Sequence, residues 1–385
     1  MKKQILSLTL AALMLTGCGG TAKHDIASDN KVTVFSYGGQ GTYENGLIYN
    51  LGIDQPTSFL DYETMEKIPL CAMPNCTHMT SSCLAKLMGV NPIFYGDYIY
   101  YFVTKHDFED VPEGHQFVMS AKLYKAKLDS SEVEKVVEFT DCIPDDWNSG
   151  FVLIGSKLWF IGNDMNPKFT EEKDNPYNYM PSSDTPGAHF MCSIDLDTGE
   201  YVNHGQVCEE YRESDWWDQC NYANLRGVYN GKLQISLEYS FSDGRESGAD
   251  FWTVDPDDRA VHANYEYDIE TGECTKTDRH FPISVSEDTY VGVDFNAGQS
   301  NDDLYIEHGG EEHIIKETDR NAYVRGDKVF FINGTWIDLN DWSEHELPEE
   351  IKDFLYCGKY GDSYIFMNSR TEAFRYTEDE LLALG

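Results

Sequence analysis

A strand, a tight polar turn and a second strand recur along this chain, and that repetition limits its fold more than any other feature. The clearest copy is FMCSIDLDTGEYV, Phe190 to Val202. Cys192, Ile194 and Leu196 alternate with smaller or polar residues, as a half-buried strand requires. Asp197, Thr198 and Gly199 follow with turn chemistry: short side chains that bond their own backbone, then a residue free to take positive φ. Looser copies are FLDYETMEKI from Phe59, YKAKLDSSEVEKV from Tyr124, YEYDIETGECTK from Tyr265 and WIDLNDWSEHEL from Trp336. Upstream of most copies lies a polar turn and an aromatic strand: ENGLIYNL from Glu44, YGDYIYYF from Tyr95, IGSKLWFI from Ile154, YNGKLQIS from Tyr229, RGDKVFFI from Arg325 and YGDSYIFM from Tyr360. Repeats with a period of tens of residues specify a modular array. Modules made only of strands specify blades. The expected fold is all-β: a β-propeller of about seven four-stranded blades with loop insertions, spanning residues 31–385. Lys31 to Tyr37, KVTVFSY, precedes the first full repeat, and we expect it to join the last blade and close the ring. Closure removes the unpaired edges of an open array. At the other end, RYTEDELLA predicts a last strand and a short helix capped by Thr377, with Glu380 completing a capping box.

The 385 residues carry a formal charge of -38, with a pI near 4.4. Such a surface repels nucleic acid and anionic lipid headgroups, which excludes both as direct partners. Hydrophobic content of 41% with 14% aromatics supports a packed core and excludes a disordered chain.

The N-terminus has its own chemistry. Lys2 and Lys3 precede an apolar run, Ile5 to Leu15, that is too short to span a bilayer well. Leu15-Thr16-Gly17-Cys18 follows. This resembles the bacterial lipoprotein signal, which implies cleavage after Gly17 and acylation of Cys18. Residues 1–17 would then be the signal peptide and 18–30, small and polar, a lipidated flexible stalk. Two or more acyl chains anchor stably, since each buried methylene contributes about 0.8 kcal/mol. The expected location is the extracytoplasmic face of the cell membrane.

Between the first two repeats stands CAMPNCTHMTSSC. Cys71, Cys76, His78 and Cys83 have the composition of a tetrahedral Cys₃His zinc site, and Pro74 would help fold the loop back. The same cysteines also suit a disulfide in an oxidising compartment, or simple buried thiols. With Cys18 acylated, six further cysteines remain: Cys142, Cys192, Cys208, Cys220, Cys274 and Cys357. Those would pair in three bridges and leave an odd trio in the loop. Cys208 and Cys220 flank Trp216 and Trp217 and are the expected staple of that segment. The lipobox, then LDYETMEKIPLCAMPNCTHMTSSCLA, then hairpins and RYTEDELLA resemble a group of propeller-like cell-surface lipoproteins from Gram-positive anaerobes. That resemblance is carried by Cys71, Pro74, Cys76, His78 and Cys83. It implies a fold and a location. No activity is assigned to the group, so it implies no catalytic residues.

Two insertions are rich in aromatic residues. Tyr177 and Tyr179 lie in the segment from Asn163 to Gly187. Tyr211, Trp216, Trp217 and Tyr222 lie among Glu209, Glu210, Glu213, Asp215 and Asp218. These rings would stack on sugars or peptide side chains, or pack the insertions onto the ring. Signs of an enzyme are weak. There is no G-x-S-x-G elbow, and His308, Glu311, Glu312 and His313 have the wrong spacing for a zincin. The Asp-rich turns lack the distal glutamate of a calcium loop. The leading expectation is a non-enzymatic propeller that binds a glycan, a peptide or an envelope protein. The alternatives are a glycan-processing enzyme with carboxylates at the central channel, and an envelope assembly scaffold.

Overall fold

The structure, a computed structural model, describes residues 33–36, 40–43, 45–49, 56–78, 80, 83–87, 92–107, 118–144, 150–164, 189–207, 218–241, 260–293, 302–318, 322–331, 334–368 and 372–384. They form a seven-bladed β-propeller of antiparallel blades. Two kinds of turn build each blade. The first and second strands meet in tight turns such as Gly155-Ser156, where Gly155 has φ 58°, and Asn230-Gly231, where both residues have positive φ, 51° and 76°. Turns with positive φ match the right-handed twist of the strands they join.

The third and fourth strands meet in the repeated aspartate turn. Asp195 Oδ1 accepts the N–H groups of Asp197 and Thr198 at 3.0 and 3.1 Å, and Thr198 Oγ1 accepts that of Glu200. Gly199, at φ 74°, closes the loop by donating to the Asp195 carbonyl. Asp61 and Asp268 repeat the same pair of bonds at 2.8 to 2.9 Å. Asp338 makes the corresponding bond to the Asn340 N–H. These are self-satisfied hairpin turns whose carboxylate oxygens already serve the backbone.

Blade one is Gln40–Tyr43, Gly46–Tyr49, Ser58–Asp61 and Lys67–Pro69. Blade two is Ile93–Tyr95, Tyr98–Asp107, Val118–Ala126 and Val133–Glu138. Blade three is Phe151–Ile154, Lys157–Asp164, His189–Asp195 and Tyr201–Gln206. Blade four runs from Asp218–Tyr229 to Cys274–Thr277, blade five from Phe281–Val285 to Glu311–Thr318, and blade six from Ala322–Arg325 to Glu344–Glu346. Blade seven has three described strands, Leu355–Tyr360, Ser363–Met367 and Ala373–Thr377. The second strands are buried throughout where Gly46–Tyr49 and Lys328–Phe331 run, whereas the outer strand Tyr201–Gln206 is half exposed. No helix among the described residues is long and apolar enough to cross a membrane.

The hydrophobic core lies between blades. Tyr43, Phe59 and Phe94 pack edge to face between blades one and two, with centroids 5.6 and 5.7 Å apart at Phe94. Phe102, Phe151 and Phe160 continue that cluster to blade three. Phe330 stacks on Tyr356 at 4.0 Å between blades six and seven. Between blades four and five the apolar cluster shrinks to Tyr229, Val285 and Tyr290. Arg279 reinforces that seam, 3.3 Å from Glu266, bonded to Glu307, and over the rings of Tyr229 and Tyr290 at 5.1 and 5.4 Å.

The N-terminal strand departs from expectation. Thr33–Ser36 pairs with Phe151–Ile154 of blade three and Gln40–Tyr43 of blade one, not with the last blade. The first strand of blade two is only three residues long, Ile93–Tyr95, and the N-terminal strand joins the inner edges on either side of it. Among the described residues, blades seven and one meet by side-chain packing. Leu47, Tyr49, Leu60 and Tyr62 meet Cys357, Ile365 and Met367. The Tyr62 hydroxyl donates to the Cys357 carbonyl at 2.8 Å. At the chain end the predicted capping box forms: Thr377 N–H donates to Glu380 Oε2 at 2.7 Å and Glu380 N–H to Thr377 Oγ1 at 3.3 Å.

The closing seam makes two variants informative. Tyr62→Phe removes one buried hydrogen bond and is expected to cost about 1 kcal/mol. Gly358→Ala places a Cβ 2.7 Å from the Tyr62 oxygen, an overpacking expected to cost about 1–3 kcal/mol. Urea denaturation measures both, and unchanged midpoints would show that closure does not rest on this contact.

Candidate metal centre

The loop after blade one converges four side chains. Met73-Pro74-Asn75-Cys76 is a β-turn closed by Cys76 N–H to the Met73 carbonyl at 3.2 Å, with Asn75 at φ 61°. Proline at the second position and asparagine at positive φ in the third are the residues a type II turn selects. The turn brings Cys76 back toward Cys71. Two residues on, His78 takes φ 58°, which turns the chain again. Cys83 opens the short helix Leu84–Leu87, and Cys83, Leu84 and Ala85 are buried in the seam between blades one and two. Backbone bonds fix the loop to both blades: Thr57 N–H to the Ala85 carbonyl at 3.0 Å, Leu70 N–H to the Thr57 carbonyl at 2.9 Å, and Ala72 N–H to the Leu128 carbonyl at 2.7 Å.

The ligand atoms of Cys71, Cys76, His78 and Cys83 all lie within 4.8 Å of one another, and the three cysteines carry free thiols. His78 Nδ1 is 3.7 Å from Cys83 Sγ. A tetrahedral zinc with bonds of about 2.3 Å to sulfur and 2.0–2.1 Å to nitrogen has an S···N edge of about 3.6 Å. The observed separation therefore fits two corners of that polyhedron. His78 N–H points at Cys76 Sγ at 3.4 Å and holds this thiol below the usual range. A backbone donor of this kind favours a thiolate, the form a metal binds. Burial pushes Cys83 the other way, up to about 12. The group combines a thiolate-prone corner near solvent with a corner anchored in the core.

The other residues singled out from sequence fare differently. Cys18, Tyr177, Tyr179, Cys208, Tyr211, Trp216 and Trp217 lie outside the described residues. Cys220 and Tyr222 sit on the strand Asp218–Tyr229, but their side chains lie outside the described set. Cys274 and Cys357 fall on blades four and seven, which prevents a bridge between those two. His308 and Glu311 face each other across a hairpin turn and His313 stacks on Trp342 at 3.5 Å, so the zincin-like run is a strand pair. One cysteine contact was not singled out from sequence: Cys142 and Cys192 meet inside blade three.

A cleft of about 370 Å³ opens beside Arg279, lined also by His280, Tyr290, Tyr305 and Glu307. His280 stacks flat on Tyr305 at 3.3 Å, and Arg279 is neutralised by Glu266 and Glu307. Asp278 and Glu312 line the cleft as well.

Antiparallel blades also sort their connections. Turns between first and second strands, and between third and fourth, emerge at one end of the ring. Connections from second to third strand, and from each blade to the next, leave from the other end. Residues 108–117, 165–188, 208–217, 242–259 and 294–301 all join strands at that second end. The Cys/His loop joins its blades at that end as well.

No family model matches this chain, and no curated protein matches it. It is similar in structure to an oligogalacturonate lyase solved with manganese, at 11% identity and a TM-score of 0.43, over 91% of this chain and 94% of that one. It is also similar to the acylaminoacyl peptidase of Pyrococcus horikoshii, at 14% identity and a TM-score of 0.38, over 91% of this chain. The chain spans 51% of that peptidase. A third similar structure is the β-propeller domain of the Trilobed protease from Pyrococcus furiosus, at 13% identity and a TM-score of 0.38, over 92% of each chain.

The opposed environments of Cys76 and Cys83 order their reactivity. In the folded, chelator-treated protein at mildly alkaline pH, iodoacetamide should modify Cys76 first and Cys83 last, because Cys76 is the more exposed and more readily ionised. Mass mapping of a time course reads this. Equal rates would contradict the described loop.

Proposed function

We propose that this protein is a lipid-anchored, extracytoplasmic propeller that binds a glycan or peptide without catalysis, using insertions gathered at one end of the ring. One observation carries the reading: among the described residues, the strand ends that flank 108–117, 165–188, 208–217, 242–259 and 294–301 lie at one end of the ring, while the self-satisfied turns of Asp195 and Asp268 lie at the other. A rigid scaffold with variable loops on one rim is how folds place binding surfaces. The sequences assigned to that rim hold Tyr177, Tyr179, Tyr211, Trp216 and Trp217 among acidic residues. Aromatic faces offer sugars and peptide side chains a large apolar area at low entropic cost.

Anchoring is supported by Lys2, Lys3, the apolar run and Cys18. Acylation there would tether the ring through residues 18–30, with the acidic surface kept off the headgroups by charge. Zinc is the proposed occupant of Cys71, Cys76, His78 and Cys83, in a structural role. Four protein ligands leave no open position for substrate, which is the arrangement of structural rather than catalytic zinc.

The binding reading is tested on glycan and peptide arrays with the mature chain. A ligand class should be found, and the double variant Trp216→Ala/Trp217→Ala should bind it at least about tenfold more weakly, as for buried aromatic anchors. Asp97→Ala, in a tight turn at the opposite end, should bind as the parent does. Turnover of a glycan that vanishes with a single carboxylate substitution would replace binding with catalysis.

A further inference from the structure

The cleft beside Arg279 lies between the crossover from blade four, Thr277 to His280, and one face of blade five. The crossover is held at both ends. The Asn264 side chain donates to the Arg279 carbonyl at 2.6 Å, and the Tyr290 hydroxyl donates to the His280 carbonyl. On blade five, Tyr290, Glu307 and Glu312 stand opposite one another across three strands, and Gly292, Tyr305 and Ile314 form the next row. Residues two apart on a strand share a face, so both rows look the same way. Gly292 makes room for the crossover: a Cβ there would stand 2.8 Å from His280 Cβ. His280 can therefore lie flat on Tyr305.

Exposure rises across this lining. Tyr290 is buried, Tyr305, His280 and Glu307 are half-buried, and Asp278 and Glu312 are exposed. Ile314, 50% exposed, adds apolar surface beside Tyr305. The lining holds three carboxylates, Asp278, Glu307 and Glu312, against the single guanidinium of Arg279. Glu307 and Glu312 are directly opposed, and like charges so placed repel. Arg279 compensates Glu307, together with Glu266 of blade four. Among the described residues no side chain forms an ion pair with Asp278 or Glu312.

We propose that this cleft binds an organic cation, an ammonium or guanidinium group carried on an apolar stem. The stem lies against Tyr305, His280 and Ile314, and the charge meets Asp278 and Glu312. Aromatic rings accept both parts of such a ligand. A volume of about 370 Å³ is at the small end of the range for ligand sites, which suits a lysine-sized group. Walls held by hydrogen bonds lower the ordering cost of binding. The charge of -38 on the chain draws cations toward the surface. A free aliphatic amine and the basic side chain of a peptide offer the same chemistry. The site uses none of the aromatic residues of the insertions, so it stands or falls independently of the ligand proposed for them.

Isothermal titration of the full chain at low ionic strength tests this. The probes are hexylammonium, with hexanol and hexanoate as its uncharged and anionic counterparts, and a blocked glycine peptide with a central lysine or norleucine. Hexylammonium should saturate one site, and both counterparts should bind at least about tenfold more weakly. Asp278→Asn/Glu312→Gln should lose at least about tenfold, and Glu312→Gln alone should lose part of that. Glu200→Gln, an exposed turn residue of blade three, should bind as the parent does. An unchanged urea midpoint separates loss of the site from loss of the fold. Competition by the lysine peptide, but not the norleucine peptide, supports the site with a peptide as the source of the cation. Binding of hexylammonium alone supports it with a free amine as the source. Absence of saturable binding, equal affinity for hexanol, or undiminished binding by the double variant overturns the site. An equal loss in Glu200→Gln also overturns it, by showing a general attraction to the acidic surface.

Discussion

Among the described residues the apolar clusters span neighbouring blades, and the molecule depends on packing at these seams. A single four-stranded sheet buries little by itself. Apposed to its neighbours it encloses clusters such as Tyr43, Phe59 and Phe94, or Phe330, Tyr356 and Phe366. Full burial of one such aromatic contributes about 1.5–3 kcal/mol, so each seam is cooperative with the next. The ring is as secure as its least apolar junctions. Among the described residues the least apolar is the junction of blades four and five, where Arg279 adds ionic and cation–π contacts to Tyr229, Val285 and Tyr290.

The Cys/His loop answers the same problem at the first junction. It leaves blade one, bonds to Leu128 of blade two and returns with Cys83 to the seam. A metal held by all four side chains would fix both blades to one point. In blade three the Cys142–Cys192 contact stands where the crossover from blade two meets the third strand. Both devices lie in blades one to three.

Local chemistry was legible in the sequence. The positions of the hairpin turns were legible, although the sequence assigned the backbone-bonding role to Asp197 and Thr198, whereas Asp195 accepts the N–H groups two and three positions on. Thr377 and Glu380 were readable because a capping box is local. The Cys71 to Cys83 group was readable because its members are near in sequence and a Pro-Asn turn returns them to one another. What escaped were contacts between distant positions. The strand Thr33–Ser36 alternates as any edge strand would, and nothing within it says which blade it joins. Cys142 and Cys192 are held together by a glycine on a third strand, a relation that no spacing records.

The account turns on the four-residue group acting as a metal clamp. X-ray absorption at the zinc edge of the purified mature chain tests that most directly. The account predicts one bound zinc with three sulfur neighbours at about 2.3 Å and one nitrogen at about 2.0–2.1 Å. An oxygen-only shell would contradict it, as would a metal-free protein in which two of Cys71, Cys76 and Cys83 are joined as a disulfide.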